Sequence, residues 1–200
     1  MTQAKRIGFY GGGFDPIHIA HLILAQTAVE TLGLDQVLFM PSGGVAHYKK
    51  DSNIASGADR LEMARSATAS NPRFAVSAYE IEQKQFCYTL DTLRHLRSLH
   101  PPETEIILLI GGDWKSKLST WKGGDTLAQE FTVALFSRPG FQYETRLHYP
   151  ADGDKILFVD MPLMDIASSK IRERIRKGLS VEYLVPEAVR NYIEAHGLYR

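Results

Sequence analysis

The stretch from Gly11 to His21, GGGFDPIHIAH, gathers the residue types that phosphate chemistry needs. Three successive glycines, Gly11, Gly12 and Gly13, let the backbone approach an anion with no Cβ in the way, and Phe14 follows them. His18 and His21 stand three apart, which puts both imidazoles on one side of a first helical turn and aims two donors at one anion. A helix starting behind that turn adds N–H groups and the positive end of its dipole. Asp15 is expected to fix the turn through side-chain to backbone bonds, with Pro16 setting the helix entry. The dinucleotide fingerprint GxGxxG does not fit, because counting from Gly11 puts Pro16 where the last glycine belongs. A second group is Ser168, Ser169 and Arg172. The hydroxyls open a helical pattern, where one caps the helix and exposed N–H groups meet phosphate, and Arg172 can reach the same anion. A plain cap with a solvated arginine is the simpler alternative. Lys170, Arg174, Arg176 and Lys177 read as solvated helix charges, and Arg60 and Met63 read equally well as nucleotide neighbours or as ordinary helix residues.

The elements that must position these groups alternate short β-branched and aromatic runs with stretches of helical period, the pattern of a parallel sheet covered by helices. Strands are predicted at Arg6–Tyr10, Val37–Met40, Phe74–Ser77, Glu105–Ile110, Thr132–Phe136 and Lys155–Val159. The first helix carries Leu22, Ala25, Val29 and Leu32 and ends at Gly33, and a second carries Leu61, Ala64 and Ala67. A third opens near Thr89, whose hydroxyl is expected to cap it, and closes at Pro101. Trp114, Leu118 and Trp121 share one face of a helix after the fourth strand. Two more helices follow, one ended by Gly178 and one starting near Pro186. The long loop from Pro41 to Gly57 is of a length that usually binds something. The fold class is α/β, a doubly wound and mostly parallel, Rossmann-like sheet in one domain over residues 1–200, with the glycine turn where such sheets bind ligands.

Composition removes several function classes. The 23 basic side chains balance 23 acidic ones, so there is no net positive field to hold a nucleic acid polymer. A single cysteine, Cys87, supplies neither an internal disulfide nor a CxxC pair, and no metal-ligand cluster is expected. The longest aliphatic run, Ile106–Ile110, is far short of the ~20 residues that span a bilayer, and no apolar signal segment follows Met1–Arg6. A cytoplasmic enzyme without membrane partners is expected.

Strand, Gly-Gly, Phe-Asp-Pro and His-x-x-His together resemble the GGTFDPIHxGH signature of the nucleotidyltransferase superfamily. Ile166–Arg172, IASSKIR, resembles that superfamily's ISSTxIR, and the following RIRKGLSVEYLVPEAVRNYIEAHGLY is similar to bacterial nicotinate-nucleotide adenylyltransferases. So are YTLDTL at Tyr88–Leu93, IGGD at Ile110–Asp113, the Thr120–Trp121 pair and SRPG at Ser137–Gly140. Gly13 stands where threonine is usual, Ala20 and Ala167 replace a glycine and a serine, and the PPHK-like segment reads Val45, Ala46, His47, Tyr48 with Lys49 displaced by one place.

The resemblance implies adenylyl transfer from ATP to nicotinate mononucleotide, releasing pyrophosphate, in NAD biosynthesis. It implies Mg²⁺ carried with ATP and leaves room for a homo-oligomer. His18, His21 and Arg172 are then catalytic, and Gly11, Gly12, Gly13, Phe14, Ser168 and Ser169 join them around ATP. On the acceptor side it implies Asp113 on ribose hydroxyls, Trp121 stacked on the pyridine ring, Thr89 on the nicotinate carboxylate, and His47 and Arg138 beside the mononucleotide. Trp114 is assigned to the core. Rival readings are a pantetheine-phosphate adenylyltransferase, a nucleotide-binding regulatory protein that has lost catalysis, and a class I aminoacyl-tRNA synthetase, which resembles the HIAH segment but needs more chain.

Overall fold

The structure, a computed structural model, describes residues 5–43, 54–112, 120–140, 147–148 and 155–200. Its strands are β1 (Arg6–Gly12), β2 (Gln36–Pro41), β3 (Phe74–Val76), β4 (Glu105–Gly111), β5 (Thr132–Phe136), β6 (Leu147–His148) and β7 (Ile156–Val159). Its helices are α1 (Ile19–Leu32), α2 (Gly57–Thr68), α3 (Tyr79–Glu82), α4 (Thr89–Ser98), α5 (Gly124–Glu130), α6 (Ser168–Arg176) and α7 (Glu187–Ala195). Among the described residues the strands form one seven-stranded sheet in the order β3-β2-β1-β4-β5-β7-β6. β1 pairs parallel with β4, β4 with β5, and β5 with β7, while β6 runs antiparallel to β7. This is the doubly wound, Rossmann-like architecture expected from the alternation of elements. The strand order reverses beside β1, so the glycine loop leaves the sheet at a topological switch point. Among the described residues no helix is long and apolar enough to cross a membrane.

The chain separates into two compact units that interleave in sequence. The first comprises Met1–Gly11, Ile23–Leu38 and Tyr88–Asp165. Its core is made by strands buried on both faces: Ile7 and Phe9 of β1, Ile107 and Leu109 of β4, Val133 and Leu135 of β5 and Leu157 of β7. That burial explains why β4 reads as a continuous aliphatic run instead of an alternating one. Leu90, Leu93 and Leu96 of α4 turn their stripe inward, and Arg97 lies over the Phe131 ring at 3.8 Å. Gly33, at φ 62°, ends α1 as its position in the sequence predicts.

The second unit comprises Gly12–Leu22, Phe39–Cys87 and Ile166–Arg200. Ser56 caps α2 by accepting from the Asp59 amide at 3.1 Å, and α2 packs on α7, where Val189 and Ile193 are buried and Tyr192 Oη donates to Asp59 at 3.1 Å.

Three features differ from the expectation. Thr89 does not cap α4; Tyr88 holds the capping position with no side-chain bond, and Thr89 is the first helical residue. The helix ends at Ser98, with Leu99 closing it by a backbone bond to Leu96 before Pro101 is reached. The short elements α3, α5 and β6 are additions, and α5 buries only Gly124 and Leu127, too few to give an apolar period. The shared face of Trp114 and Leu118 lies outside the described residues.

Candidate active site

The loop after β1 is held by its carbonyls. Ser42 N–H donates to the Gly12 carbonyl at 2.8 Å, Arg60 Nη1 to that of Gly13 at 2.9 Å, Arg172 Nη1 to that of Asp15 at 2.7 Å and Ser168 Oγ to that of Pro16 at 3.0 Å. Each of these four carbonyls is thereby satisfied within the protein, which pins the backbone of the loop from Gly12 to Pro16. A Cβ on Gly12 would stand 3.3 Å from the Phe14 ring, a tight contact that glycine avoids. Phe14 itself is buried at φ 44°, a left-handed backbone position rarely taken by a non-glycine residue.

Its ring meets His21 edge-on, centroids 5.1 Å apart, and His21 stacks on His18 at 3.6 Å with 21° between planes. His21 Nδ1 also accepts the His18 backbone N–H at 3.1 Å. With that bond made Nδ1 is the acceptor, so the neutral ring carries its N–H at Nε2. The bond also satisfies an amide at the start of α1, and a neighbouring one, Ile19 N–H, donates to the Leu184 carbonyl at 3.0 Å. The amides of His18 and Ile19 at the start of α1 are thus engaged within the protein.

The serines also behave differently from the expectation. Neither caps α6; Ala167 holds that position without a side-chain bond, and Ser168 is drawn to Pro16 instead. The helix ladder begins with Ile171 N–H on the Ala167 carbonyl, so the amides of residues 168–170 lie ahead of it at the positive end of the dipole. Ser169 is exposed. Arg172 is not the solvated arginine of the simpler alternative: it is 6% exposed, with Nη1 3.5 Å from Asp15 Oδ2 besides its bond to the carbonyl.

Asp15 does not fix its own turn as expected. It is 3% exposed, and Oδ1 accepts from Ala55 N–H at 3.1 Å and from Tyr199 Oη at 2.7 Å, both remote in sequence. Burial pulls the Arg60 guanidinium below its ordinary pKa, opposed by the charge of Asp15. Arg60 thus resolves as a buried brace, its Nη2 donating to the Ser42 carbonyl at 2.8 Å. Tyr199 ends the C-terminal stretch that resembles the family, and its bond to Asp15 is visible only in the structure.

The acceptor-side candidates fall elsewhere. In the first unit Lys122 Nζ sits 4.0 Å over the Tyr88 ring, and Gly123, at φ 76°, packs where a Cβ would be 2.6 Å from Leu90 Cδ2. These contacts fasten the turn bearing half-buried Trp121 to the start of α4, where Thr89 stands. Arg138, half-buried, follows β5. His47 and Asp113 lie outside the described residues. Among the described residues no group of three or more His, Cys, Asp or Glu is placed to hold a metal ion.

The fold and the loop define a nucleotidyltransferase class, and residues 9–174 match the family model described as Cytidylyltransferase-like. A probable nicotinate-nucleotide adenylyltransferase of Moorella thermoacetica is 40% identical over 205 residues, covering 100% of this chain and 94% of that protein. One from Exiguobacterium sibiricum is 41% identical, covering 97% and 98%. The chain belongs to this nicotinate-nucleotide adenylyltransferase family. Its fold is shared with the Plasmodium falciparum nicotinic acid mononucleotide adenylyltransferase complexed with NaAD, at a TM-score of 0.76 and 20% identity over 98% of this chain and 97% of that one.

Proposed function

We propose that this chain, acting as one cytoplasmic catalytic domain over residues 1–200, transfers the adenylyl group of MgATP to nicotinate mononucleotide. The products are nicotinate adenine dinucleotide and pyrophosphate. The observation that carries the reading is the loop from Gly12 to Pro16, with its carbonyls bonded inward beside the paired imidazoles. A phosphate oxygen of the mononucleotide attacks the α-phosphorus of ATP, one P–O bond forms and the bond to the pyrophosphate leaving group breaks. No covalent protein intermediate is needed, so the protein's task is to neutralise charge and align the two anions.

His18 and His21 donate to the phosphates as charge moves onto pyrophosphate, and the amides ahead of α6 add positive potential. Mg²⁺ carried with the ATP substrate would supply further charge neutralisation. Arg172 orients the loop and adds its charge from behind. The start of α4 with Thr89 takes the nicotinate carboxylate, Trp121 stacks on the pyridine ring, and Asp113, His47 and Arg138 complete the acceptor side.

An amide in place of the carboxylate brings two hydrogens to where donors already point, which leaves buried donors without acceptors. The expected outcome is a kcat/KM for nicotinate mononucleotide at least tenfold above that for the nicotinamide form. Equal values would discard the carboxylate assignment.

A further inference from the structure

Asp15 joins segments that are far apart in sequence. Its carboxylate Oδ1 receives Tyr199 Oη and Ala55 N–H, while Arg172 Nη1 bonds its carbonyl and faces Oδ2. Arg172 thus meets Asp15 at both its carboxylate and its backbone carbonyl, and that carbonyl belongs to the loop that carries Gly13 and Phe14. Tyr199 fixes the one carboxylate oxygen that Arg172 does not face. The tyrosine is 4% exposed and takes φ 66°, a strained backbone position for a side chain of this size.

We propose that Tyr199 is a positioning residue for the ATP phosphates, its hydroxyl fixing the Asp15 carboxylate and, through it, Arg172 and the loop. This rests on the reading that the loop receives ATP. A merely structural tyrosine would affect stability and leave ligand constants alone.

The test is Tyr199→Phe, which keeps the ring and deletes the hydroxyl. Calorimetric titration of the whole protein with the magnesium complex of a non-hydrolysable ATP analogue is expected to show Kd raised about tenfold, with the nicotinate mononucleotide Kd within about twofold of wild type. Combined with Arg172→Lys, the loss should be less than the sum of the two single losses, because both act through Asp15. If Tyr199→Phe does not fold, Asp15→Asn examines the same bond from its other side and is expected to weaken the analogue similarly. An unchanged analogue Kd in folded Tyr199→Phe, or strict additivity with Arg172→Lys, overturns the proposal. Failure of the wild-type protein to bind the analogue at all would instead overturn the reading of the loop.

Discussion

At the residue scale His21 has two tasks, one for each ring nitrogen. Nδ1 accepts the His18 amide, and under the proposed function Nε2 donates to phosphate. A ring protonated at both nitrogens would set two N–H groups face to face. His21→Asn retains an acceptor near Nδ1 and loses the outer donor, whereas His21→Ala loses both. Both substitutions are expected to lower kcat by roughly 10² or more. Only the alanine should also lose about 1 kcal/mol of stability at the start of α1, read by denaturant unfolding. His18→Ala should lower kcat similarly, because it removes one donor and the stacking surface of the other. Turnover close to wild type in a folded variant would remove that histidine from the mechanism. The histidine pair is legible in the sequence because its spacing is local. Arg60 and Tyr199 are not, since they meet Gly13 and Asp15 across 47 and 184 residues, separations that no periodicity encodes.

At the scale of elements, the turn that carries Trp121 is fixed to α4 by Lys122 over Tyr88 and by Gly123 against Leu90. Gly123→Ala meets both a left-handed φ and the Leu90 side chain, so it should destabilise the protein by roughly 1–2 kcal/mol or more. It should also weaken nicotinate mononucleotide binding more than ATP binding, as titration of each ligand would show. Trp121→Ala removes the aromatic platform while the turn persists. Its acceptor Kd should rise tenfold to a hundredfold, by analogy with the ~1–3 kcal/mol of base stacking. An unchanged acceptor Kd in a stably folded variant would end the stacking assignment. The buried strands and α1, α2, α6 and α7 follow from patterns of apolar residues and from Gly33, Gly178 and Pro186. Serine at the start of α6 suggests a cap by type alone. The competing acceptor, the Pro16 carbonyl, becomes available only once residues 16 and 168 are brought together by the fold.

At the scale of the whole molecule, the network around Asp15 links the glycine loop to residues near 55, 172 and 199 in one buried cluster. Its pH signature is alkaline. Burial, and then the charge of Asp15, push the Tyr199 phenol well above its usual value, so the folded state keeps this proton longer than the unfolded chain does. The stabilisation is full below about pH 10 and is lost as pH rises further. Thermal melts between pH 8 and 11 should therefore decline less steeply in Tyr199→Phe than in wild type. The fold class was legible from the strand and helix alternation, and the family from motifs at both ends of the chain. The interleaving of the two units was not, because it depends on which distant segments share a core. The most direct test of the central claim is pyrophosphate release by the purified protein with MgATP and, in turn, nicotinate mononucleotide, phosphopantetheine and no acceptor. The account predicts rapid release with nicotinate mononucleotide, matched mole for mole by nicotinate adenine dinucleotide, and background release otherwise. ATP binding without pyrophosphate release, or faster release with phosphopantetheine, would contradict it.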